Sequence, residues 1–521
     1  MGTNLAADAT LVARNPADES EIGRVDAATV DDVRDAVGRA RVAQSNWHQL
    51  GFSHRGRLLA QVRDRFLEQA RDIAHLLQKE NGKPELEAYF SEVVPNVDLF
   101  DFHIAQDQKL LRDEPVKLSP LNYPGKKGVI QHLPLGVIGL ISPWNYPVSI
   151  PLRTLIPALM AGNTVVFKPS EYATLTGRML GELFNEFLPP GVMTVVQGDG
   201  SIGAALIEAQ VDRVVFTGSV ATGRKVNVAA AERLIPASLE LGGKDAAIVL
   251  EDADLDRAAN GIVWGAFTNA GQNCASVERC YVVQEVADAF LAKVVQRTRN
   301  LRLTREEGVA EVGPLVNAAQ LATVERHVQD AVSKGGRVLA GGNARQPGHF
   351  FEPTVLVDVD HRMSVMQEET FGPLLPIQVV ANADEAVRLA NDSDYGLTAS
   401  IWSRNEERAQ SLVPRLETGV VTINNHGFTA AIPQAPWTGV KNTGSGVTNS
   451  KSALLEYTRP HFTLVDKSKD NMELWWFPFT PTLEKIAGGV LEMGRRGLGA
   501  KVSGARQLLP LLKKRLKEGN G

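Results

Sequence analysis

Gly136-Val-Ile-Gly-Leu-Ile141 is a short run of apolar and glycine residues that ends at Ser142-Pro143. A run without alternating polar residues is typical of a parallel strand that is buried on both faces. Similar runs follow at 164–167, 192–196 and 213–216, and segments of helical period separate them. This alternation predicts a doubly wound α/β sheet, whose ligands bind at the carboxyl ends of the strands.

A second set of apolar runs follows residue 240 and predicts a second α/β domain. The expected strands lie at 246–250, 281–283, 338–341, 354–357, 375–380, 399–402 and 420–424. The apolar periodicity predicts helices at 29–47, 54–80, 84–103, 317–333, 382–391 and 405–416. Residues 433–450 are rich in polar residues and glycine, which is typical of a surface loop.

The composition narrows the classes of function. A chain of 521 residues is long enough for two or three domains. Its net charge of −5 and pI of about 6.1 argue against a nucleic-acid-binding protein. Two cysteines form no disulfide framework, which favours a reducing, cytoplasmic location. Residues 1–21 show no secretory or mitochondrial signal, and no run reaches the ~18 apolar residues of a membrane span.

Cys274 ends the stretch Phe267-Thr-Asn-Ala-Gly-Gln-Asn-Cys274, which follows a helical pattern. Asp252 or Asp254 can cap that helix, and Gly271 is expected to end it. The thiol then lies on a loop just past the helix, where a side chain can be presented to a ligand.

Glu240 lies in Leu239-Glu-Leu-Gly-Gly-Lys244, between an alternating strand and a glycine pair that allows a sharp turn. A thiol and a carboxylate at the ends of regular elements indicate covalent catalysis with a base nearby. Cys280 is expected to be buried without a catalytic role.

Two turns are candidates for phosphate binding. Gly198-Asp-Gly-Ser-Ile-Gly203 matches the dinucleotide-binding pattern after a predicted strand, with a tight strand-to-helix turn as the alternative. Phe216-Thr-Gly-Ser-Val-Ala-Thr-Gly223 is the better candidate, because free N–H groups and the Ser219 hydroxyl there can contact a phosphate.

Polar side chains follow other predicted strands. Asn145, in Pro143-Trp-Asn-Tyr-Pro147, can donate to an oxyanion or form an Asx turn. Lys168 and Glu171 suit the hydroxyls of a ribose, or form a surface ion pair. Glu369-Thr-Phe-Gly-Pro373 alone indicates only a loop.

Together these motifs resemble those of the aldehyde dehydrogenase superfamily over residues 10–465. The matching segments are, in order, Pro143-Trp-Asn-Tyr-Pro, Lys168-Pro-Ser-Glu, Phe216-Thr-Gly-Ser, Leu239-Glu-Leu-Gly-Gly-Lys, Gly271-Gln-Asn-Cys and Glu369-Thr-Phe-Gly-Pro. The resemblance implies a homodimer or homotetramer. The implied organisation is a Rossmann-type dinucleotide-binding domain at 1–113 and 135–246, a catalytic domain at 247–440, and oligomerisation strands at 114–134 and 452–465.

The resemblance also implies a reaction course. The Cys274 thiolate attacks an aldehyde, and the Asn145 amide holds the oxyanion. Hydride transfer to the nicotinamide leaves a thioester, which water activated by Glu240 releases as a carboxylic acid. No metal site is predicted.

For the cofactor, the resemblance implies that Lys168 and Glu171 bind the adenosine ribose and that Ser219 meets the pyrophosphate. It places Trp144 in the wall of the cleft, Glu369 on the nicotinamide ribose and Phe371 near the nicotinamide ring. Glu171 favours NAD over NADP, with NADP as the alternative, because a carboxylate repels a 2′-phosphate.

The chain departs from the family at a catalytic position and at its end. Many relatives have a lysine nine residues after the asparagine, whereas this chain has Thr154 beside Arg153, which puts a lysine proton relay in doubt. Residues 470–521 extend past the usual end of the family. They contain the aromatic residues Trp475, Trp476, Phe477 and Phe479, the basic residues Arg495, Arg496, Lys501, Arg506, Lys513, Lys514, Arg515 and Lys517, and the interleaved Leu508, Leu509, Leu511, Leu512 and Leu516.

This extension predicts peripheral contact of 475–517 with an anionic membrane surface, with packing on its own or a neighbouring subunit as the alternative. Residues 137–147 and 215–223 resemble semialdehyde-oxidising members, whereas 365–376 resemble relatives that act on apolar aldehydes. A membrane contact favours an apolar or aromatic aldehyde. A succinate-semialdehyde-type enzyme, a coenzyme A-acylating dehydrogenase and a non-catalytic binding protein are the alternatives. Glu240 argues against the acylating enzyme, and Cys274, Glu240 and Asn145 together argue against a non-catalytic protein.

Overall fold

Two separate sheets form the cores of the larger part of the chain, as the apolar runs predict. The computed structural model describes residues 10–120, 123–304, 309–427, 429–468, 471–494 and 498–518, apart from the side chains of 498, 500, 501, 507, 509 and 516–518. Contacts divide the chain into a first unit, Met1–Arg112 with His132–Arg459, and a second unit, Asp113–Gln131 with Pro460–Gly521.

The chain begins with a hairpin and a layer of helices. Thr29 starts the first helix with a capping box, in which its hydroxyl oxygen accepts from the Asp32 N–H. The elements of this region are β1 (Thr10–Arg14), β2 (Glu21–Asp26), α1 (Val30–Gln49), α2 (Gly51–Glu68), α3 (Ala70–Asn81), α4 (Glu85–Ala88), a π-helical turn (Tyr89–Val93), α5 (Val94–Leu110), β3 (Glu114–Val116) and β4 (Lys126–Pro134).

The helices predicted at 54–80 and 84–103 are each interrupted. The first divides at Gln69, whose φ and ψ of −91° and 7° leave the helical region. In the second, the π-helical turn separates α4 from α5. Pro95 lies in the first turn of α5, where its missing N–H cannot continue the ladder of the preceding helix.

A five-stranded parallel sheet of order β7-β6-β5-β8-β9 confirms the first predicted set of strands. Ile141 pairs with Lys168 on one side and with Phe216 on the other, so three strands end at the same level. Its elements are β5 (Val137–Ile141), α6 (Ser149–Met160), β6 (Thr164–Lys168), α7 (Thr174–Asn185), β7 (Met193–Val195), α8 (Gly200–Glu208), β8 (Arg213–Thr217), α9 (Val220–Glu232) and β9 (Ala237–Glu240).

The turn at Gly198 has the geometry of a tight strand-to-helix connection. The Asp199 side chain accepts from the Ser201 N–H at 2.8 Å and caps α8. Gly198 has a φ of +158°, and a Cβ there would lie 2.3 Å from the Ile202 side chain. The glycine is therefore explained by local packing.

A seven-stranded sheet of order β12-β15-β16-β11-β10-β18-β19 follows, with the edge strand β12 antiparallel and the other pairs parallel. Its central strands β10 and β11 are buried at every residue. The elements are β10 (Asp245–Val249), α10 (Leu255–Phe267), a 3-10 turn (Thr268–Gly271), β11 (Val277–Val283), a 3-10 turn (Gln284–Val286), α11 (Ala287–Arg299), α12 (Ala318–Ser333), β12 (Arg337–Ala340), β13 (Ala344–Arg345), β14 (Phe350–Phe351), β15 (Thr354–Val357), α13 (Ser364–Gln367), β16 (Leu374–Val380), α14 (Ala383–Asn391), β17 (Tyr395–Gly396), β18 (Thr398–Trp402), α15 (Glu406–Leu412), a 3-10 turn (Val413–Arg415) and β19 (Val420–Ile423).

The predicted loop at 433–450 is mostly irregular, with short paired segments. The remaining elements are a 3-10 turn (Thr429–Ala431), β20 (Trp437–Thr438), β21 (Val440–Lys441), β22 (Val447–Thr448), α16 (Ser450–Glu456), β23 (Thr458–Asp466), α17 (Pro481–Gly494) and α18 (Leu498–Glu518). The strand expected at 452–465 is therefore wrong over 452–456, which belongs to α16. There Ala453 and Leu454 are buried, and this favours a helix whose apolar side packs inward.

The second unit combines a three-stranded sheet of order β23-β4-β3 with the hairpin of α17 and α18. The two helices approach closely, since a Cβ on Gly489 would lie 2.9 Å from Leu508 and one on Gly504 would lie 2.3 Å from Met493. Across the described part of the chain, none of the helices is long and apolar enough to cross a bilayer.

Some predicted features fall outside the described residues. They are Arg495 and Arg496, the side chains of Lys501, Lys517, Leu509 and Leu516, and residues 1–9 of the N-terminal segment.

Helix α10, which leads to the loop of Cys274, packs closely on the seven-stranded sheet at Gly261, and substitution there tests this contact. A Cβ on Gly261 would lie 2.2 Å from the buried Trp402 ring, whereas Gly38 on α1 has nothing within 4 Å. We expect Gly261→Ala to lower the free energy of unfolding by about 1–3 kcal/mol through overpacking. Gly38→Ala should raise it by about 0.5–1 kcal/mol through helix propensity.

Urea unfolding followed by circular dichroism measures both variants. Equal shifts of the two midpoints in the same direction would show that α10 does not depend on this close contact.

Candidate active site

Cys274 lies on a loop that is more sharply bent than the sequence predicts. Helix α10 ends at Phe267 and not at Gly271, so that prediction is wrong by one helical turn. Asn269 and Gly271 both have left-handed backbones, with φ of 52° and 72°. Gly271 is nevertheless required, because a Cβ there would lie 2.1 Å from the Gly372 carbonyl oxygen.

The carboxylate of Glu87 holds this bend. Its Oε1 accepts from the Thr268 hydroxyl and from the Asn269 N–H, both at 2.5 Å. The Asn269 side chain in turn donates to the carbonyl oxygens of Asn145 at 2.9 Å and Gln272 at 3.0 Å. These bonds end the helix early and tie the thiol loop to the asparagine loop.

Asn145 follows β5 and is buried, and its Nδ2 donates to the Gln272 carbonyl at 3.1 Å. Its Oδ1 accepts no hydrogen bond from the described residues, so the alternative Asx turn is not formed. Nδ2 carries a second hydrogen, which is available to an oxyanion beside Cys274. Asn145 and Cys274 line one common cleft.

A buried cation, Lys83, fixes the other side of the asparagine loop. Its Nζ donates to Glu92 Oε1 at 2.7 Å and to the Asn145 carbonyl at 3.0 Å. The same ammonium lies 4.0 Å from the centroid of the Tyr146 ring. Glu92 Oε2 accepts from the Ser149 N–H at 2.7 Å, at the start of α6, where a carboxylate is favoured by the helix dipole.

Glu240 ends β9 and lines the same pocket as Cys274. Its carbonyl accepts from the Gly218 N–H at 3.1 Å, and its Oε1 accepts from the Thr448 hydroxyl. Burial raises the pKa of the Glu240 carboxyl, while the positive charge of Arg153 acts in the opposite direction. A carboxylate with a raised pKa is suited to accept a proton.

The pocket around Cys274 and Glu240 is small and mainly apolar, with a free volume of about 50 Å³. Such a space holds only a few atoms the size of water. Its walls include Pro95, Asn96, Leu99, Tyr146, Ile150, Arg153, Trp264, His426, Ala430 and Trp437.

The electrostatics of this pocket oppose a free thiolate. Burial raises the pKa of Cys274 to about 12, and the Glu240 charge adds to that effect, while Arg153 lowers the pKa. Burial also lowers the pKa of His426 to about 4, so this imidazole is neutral near pH 7. Arg153 is therefore the cation that favours the reactive form of the sulfur.

Four of the predicted cofactor residues, Trp144, Ser219, Glu369 and Phe371, line a second cavity of about 270 Å³ that Cys274 also borders. The Trp144 and Phe371 rings meet edge to face with centroids 5.6 Å apart.

The backbone of this cleft leaves no room for added side chains. A Cβ on Gly242 would lie 2.4 Å from the Glu369 carboxylate, and the Gly243 N–H donates to Glu369 Oε1 at 2.9 Å. Burial raises the pKa of Glu369 to about 8. A cleft with an aromatic wall, a carboxylate and close backbone fits a nicotinamide with its ribose.

Ser219 begins α9, and its hydroxyl oxygen accepts from the Thr222 N–H at 3.3 Å. The start of this helix offers N–H groups to an anion. Lys168 and Glu171 lie past the end of β6, with Nζ and Oε2 3.4 Å apart. They border no part of the Cys274 cleft that the structure describes, but β6 and β8 end at the same level on either side of β5.

Several residues that position the site were missed from the sequence. Glu278, on the buried strand β11, accepts from the backbone N–H groups of Thr370 at 2.7 Å and Phe371 at 2.8 Å. The Lys244 Nζ lies 2.5 Å from Glu278 Oε2 and compensates the charge of that carboxylate. Lys83 and Glu92 were missed as well, and Arg153 was noted only as the neighbour of Thr154. Of these three residues, only Glu92 lies within a predicted helix, where a charged residue is a signal of a buried pair.

Among the described residues, no group of three or more His, Cys, Asp or Glu side chains is arranged to hold a metal ion. Cys280, which lies on β11, is fully buried.

Comparisons with known proteins agree with this geometry. The family model described as the aldehyde dehydrogenase family matches residues 5–463. A 4,4′-diapolycopene aldehyde oxidase of Methylomonas sp is 36% identical over 498 residues, which cover 94% of this chain and 93% of that protein. A protein of Mycobacterium ulcerans with the provisional name succinate-semialdehyde dehydrogenase (NADP⁺) 2 is 38% identical over 436 residues, which cover 82% of this chain and 83% of that protein.

A solved structure extends the likeness to three dimensions. The crystal structure of lactaldehyde dehydrogenase from Escherichia coli matches with a TM-score of 0.85 and 35% identity, over 88% of this chain and 96% of that one. The chain therefore belongs to the aldehyde dehydrogenase family and is an NAD(P)-dependent enzyme that oxidises aldehydes.

Proposed function

We propose that the enzyme converts an apolar or aromatic aldehyde to its carboxylic acid through a covalent intermediate on Cys274, with NAD as the preferred acceptor. The observation that supports this most directly is the position of Cys274, which borders both the Glu240 pocket and the cleft of Trp144 and Phe371. A sulfur at that junction holds the substrate from one side and presents its carbon to a cofactor on the other.

The reaction begins when the Cys274 thiolate adds to the aldehyde carbon and forms a thiohemiacetal. The former carbonyl oxygen becomes an oxyanion, to which the Asn145 Nδ2–H donates. Removing one such donor typically lowers turnover by ~10²–10³. When bound, NAD(P) supplies the acceptor for the hydride that leaves this carbon, and Cys274 then carries the acyl group as a thioester.

Glu240 is the proposed base for the second half of the reaction. Its carboxylate takes a proton from water as the water oxygen adds to the thioester carbon. The carbon–sulfur bond then breaks, the sulfur leaves as a thiolate, and the carboxylic acid is released. A base placed for water argues against the coenzyme A-acylating alternative, in which a second thiol takes the acyl group.

For the cofactor, we propose that Glu369 binds the nicotinamide ribose and Ser219 the pyrophosphate. Lys168 and Glu171 are the proposed ligands of the adenosine ribose, where the Glu171 carboxylate repels a 2′-phosphate. That repulsion supports NAD. NADP remains the alternative, because the Mycobacterium ulcerans relative carries NADP in its name.

The apolar side chains around Cys274 support an apolar substrate. Leu99, Ile150, Trp264 and Trp437 line the pocket, and apolar walls favour hydrocarbon over charged groups. The Methylomonas relative is named for diapolycopene aldehyde, which is consistent with this proposal.

A succinate-semialdehyde-type activity is the second candidate, and Arg153 is the observation that favours it. Arg153 lines the pocket, and its Nε donates to the Ser149 carbonyl at 3.4 Å. It forms no ion pair with a carboxylate of the described residues. A guanidinium in that state can bind a second carboxylate on a substrate.

We also propose that the C-terminal extension contacts an anionic membrane surface. Trp476, Phe477 and Phe479 are 56%, 76% and 72% exposed on one short turn. Exposed aromatic residues of this size are characteristic of a membrane interface. Basic residues of α18 that remain exposed, including Lys513 and Lys514, complement anionic headgroups.

The turn that carries these aromatic residues is fixed within the second unit. Arg515, which the sequence placed with the exposed basic residues, is fully buried, and its guanidinium donates to the carbonyl oxygens of Leu474 and Trp476. Lys126 lies 5.5 Å from the Trp475 ring centroid. A turn whose backbone is already fixed loses little backbone entropy when it enters an interface.

The first part of the extension is matched in the Methylomonas relative. Because 94% of a 521-residue chain is about 490 residues, the matched region must reach at least about residue 490. It therefore includes the aromatic turn and most of α17. A shared extension supports a link between this segment and a lipophilic substrate.

We propose a cytoplasmic homodimer or homotetramer that associates through β3, β4 and β23. Phe462, Leu464 and Val465 on β23 are about half exposed, which supports a subunit contact at this strand. The proposed domains are those predicted from the sequence, with the second strand segment beginning at Thr458 instead of residue 452.

An aldehyde panel tests the proposed function. We expect octanal and benzaldehyde to give higher kcat/KM than betaine aldehyde or succinate semialdehyde, with NAD preferred over NADP. Cys274→Ala should form no NADH, because no thioester can form. Glu240→Gln should release one equivalent of NADH in a burst and then turn over slowly.

Cys280→Ala serves as the control thiol variant in the same panel. Native-rate NADH formation by Cys274→Ala would contradict the proposed mechanism, and a preference for succinate semialdehyde would favour the second candidate.

Vesicle co-sedimentation tests the membrane contact. We expect the full-length protein to bind phosphatidylglycerol-containing vesicles, and the triple change Trp476→Ser, Phe477→Ser and Phe479→Ser to weaken binding about tenfold or more. Leu234→Ser, at a residue that is 94% exposed in the first unit, is the matched control. Equal binding by all three proteins, or none, would refute the contact.

Removing Arg153 tests how its charge acts. Because the cation lowers the pKa of both Cys274 and Glu240, which react deprotonated, Arg153→Met should raise both values. We expect alkylation of Cys274 by iodoacetamide at about pH 8 to slow roughly tenfold and to recover at higher pH. Arg153→Lys should stay close to the native profile.

The same variants separate two roles of this residue. An equal loss of kcat/KM for octanal and succinate semialdehyde indicates an effect on the sulfur. A selective loss for succinate semialdehyde indicates that Arg153 binds the substrate carboxylate.

A further inference from the structure

A third cavity, here called the lateral groove, lies beside the pocket of Cys274. It has a volume of about 620 Å³ and is lined mainly by apolar side chains of the segment around α4 and of α10. Two of these side chains, Leu86 and Phe90, are 55% and 67% exposed. Large apolar side chains clustered at a surface mark a binding site more often than a chance arrangement.

The lateral groove adjoins the catalytic pocket. Ser91 and Trp264 line both cavities and form the partition between them. Ser91 follows Phe90 in the π-helical turn; both residues line the groove, and Ser91 alone also lines the catalytic pocket. The groove and the pocket of Cys274 therefore meet at these two side chains.

We propose that the lateral groove binds the distal hydrocarbon chain of the aldehyde substrate, which passes between Ser91 and Trp264 to reach Cys274. This inference rests on the proposed function, because it names the class of aldehyde as long-chain and unbranched beyond the reacting end. The cleft assigned to the cofactor also borders Cys274 and shares no lining residue with the lateral groove.

The free volumes support this division. The catalytic pocket has about 50 Å³ of free space, which suits the reacting carbon and its nearest neighbours, whereas the groove has about 620 Å³. A hydrocarbon chain that extends from the pocket into the groove would bury its methylene groups against apolar side chains. Each buried methylene strengthens binding by a factor of about three to four.

Charged groups of the groove disfavour a polar chain end. The carboxylates of Glu87 and Glu311 line it, but each already has partners: Glu87 accepts from Thr268 and Asn269, and Glu311 lies 3.6 Å from Arg302. The guanidinium of Arg297 is likewise held, by Asp256 at 2.8 Å and Asn260 at 2.5 Å, so these groups offer no free charge to a polar chain end. The groove thus selects a neutral hydrocarbon end.

The test compares chain lengths in the full-length enzyme. For straight-chain aldehydes from propanal to decanal, we expect kcat/KM to rise about threefold per methylene until the groove is filled. Phe90→Glu places a charge on the groove wall at an exposed position. It should lower the ratio of the decanal to the propanal kcat/KM at least tenfold.

Val228→Glu, at a residue on α9 that is 59% exposed, is the matched control and should leave that ratio at the native value. Equal ratios for Phe90→Glu and the native enzyme would overturn the inference while leaving aldehyde oxidation intact. A change of oligomeric state in Phe90→Glu, measured by light scattering, would assign the groove to a subunit contact and also overturn it. Failure to oxidise any aldehyde would refute the proposed function itself.

Discussion

A single buried ammonium group, that of Lys83, holds together the parts from which the candidate active site is built. It neutralises Glu92, makes a cation–π contact with the Tyr146 ring and donates a hydrogen bond to the Asn145 carbonyl. That same carbonyl accepts from Asn269, which belongs to the thiol loop. Removal of either charge would leave the other buried and uncompensated, a change that typically costs ~3–5 kcal/mol. Two loops from different sheets are thereby held in one arrangement.

The site combines a dry environment with groups that must ionise. Burial raises the pKa of Cys274 to about 12 and also raises that of Glu240, so burial opposes the charged form of both groups. In the same environment, a hydrogen bond to an oxyanion is stronger than in water, because competing solvent is absent. The low polarity that weakens the nucleophile thus strengthens the stabilisation that follows. Arg153, which lines the pocket, lowers the pKa of Cys274 without admitting water to the site.

The sequence predicted those parts of the site that follow from the ends of regular elements. Asn145, Lys168 and Glu240 each end or follow a strand of the five-stranded sheet, and apolar runs locate such strands well. What it could not predict are pairs joined only by the fold, such as Glu278 with the Phe371 N–H, which are 93 residues apart. The early end of α10 was missed for the same reason, since Glu87 ends that helix from a distant segment.

Arg153 also bears on the choice of substrate. One guanidinium cannot fully neutralise a substrate carboxylate and still lower the pKa of Cys274, because a bound anion cancels its field at the sulfur. A substrate with a second carboxylate would therefore raise the pKa of the nucleophile that must attack it, in a pocket where Glu240 already does so. An apolar aldehyde leaves the charge of Arg153 directed at the sulfur. The electrostatics of the pocket and the apolar walls of Leu99 and Trp437 then favour the same class of substrate.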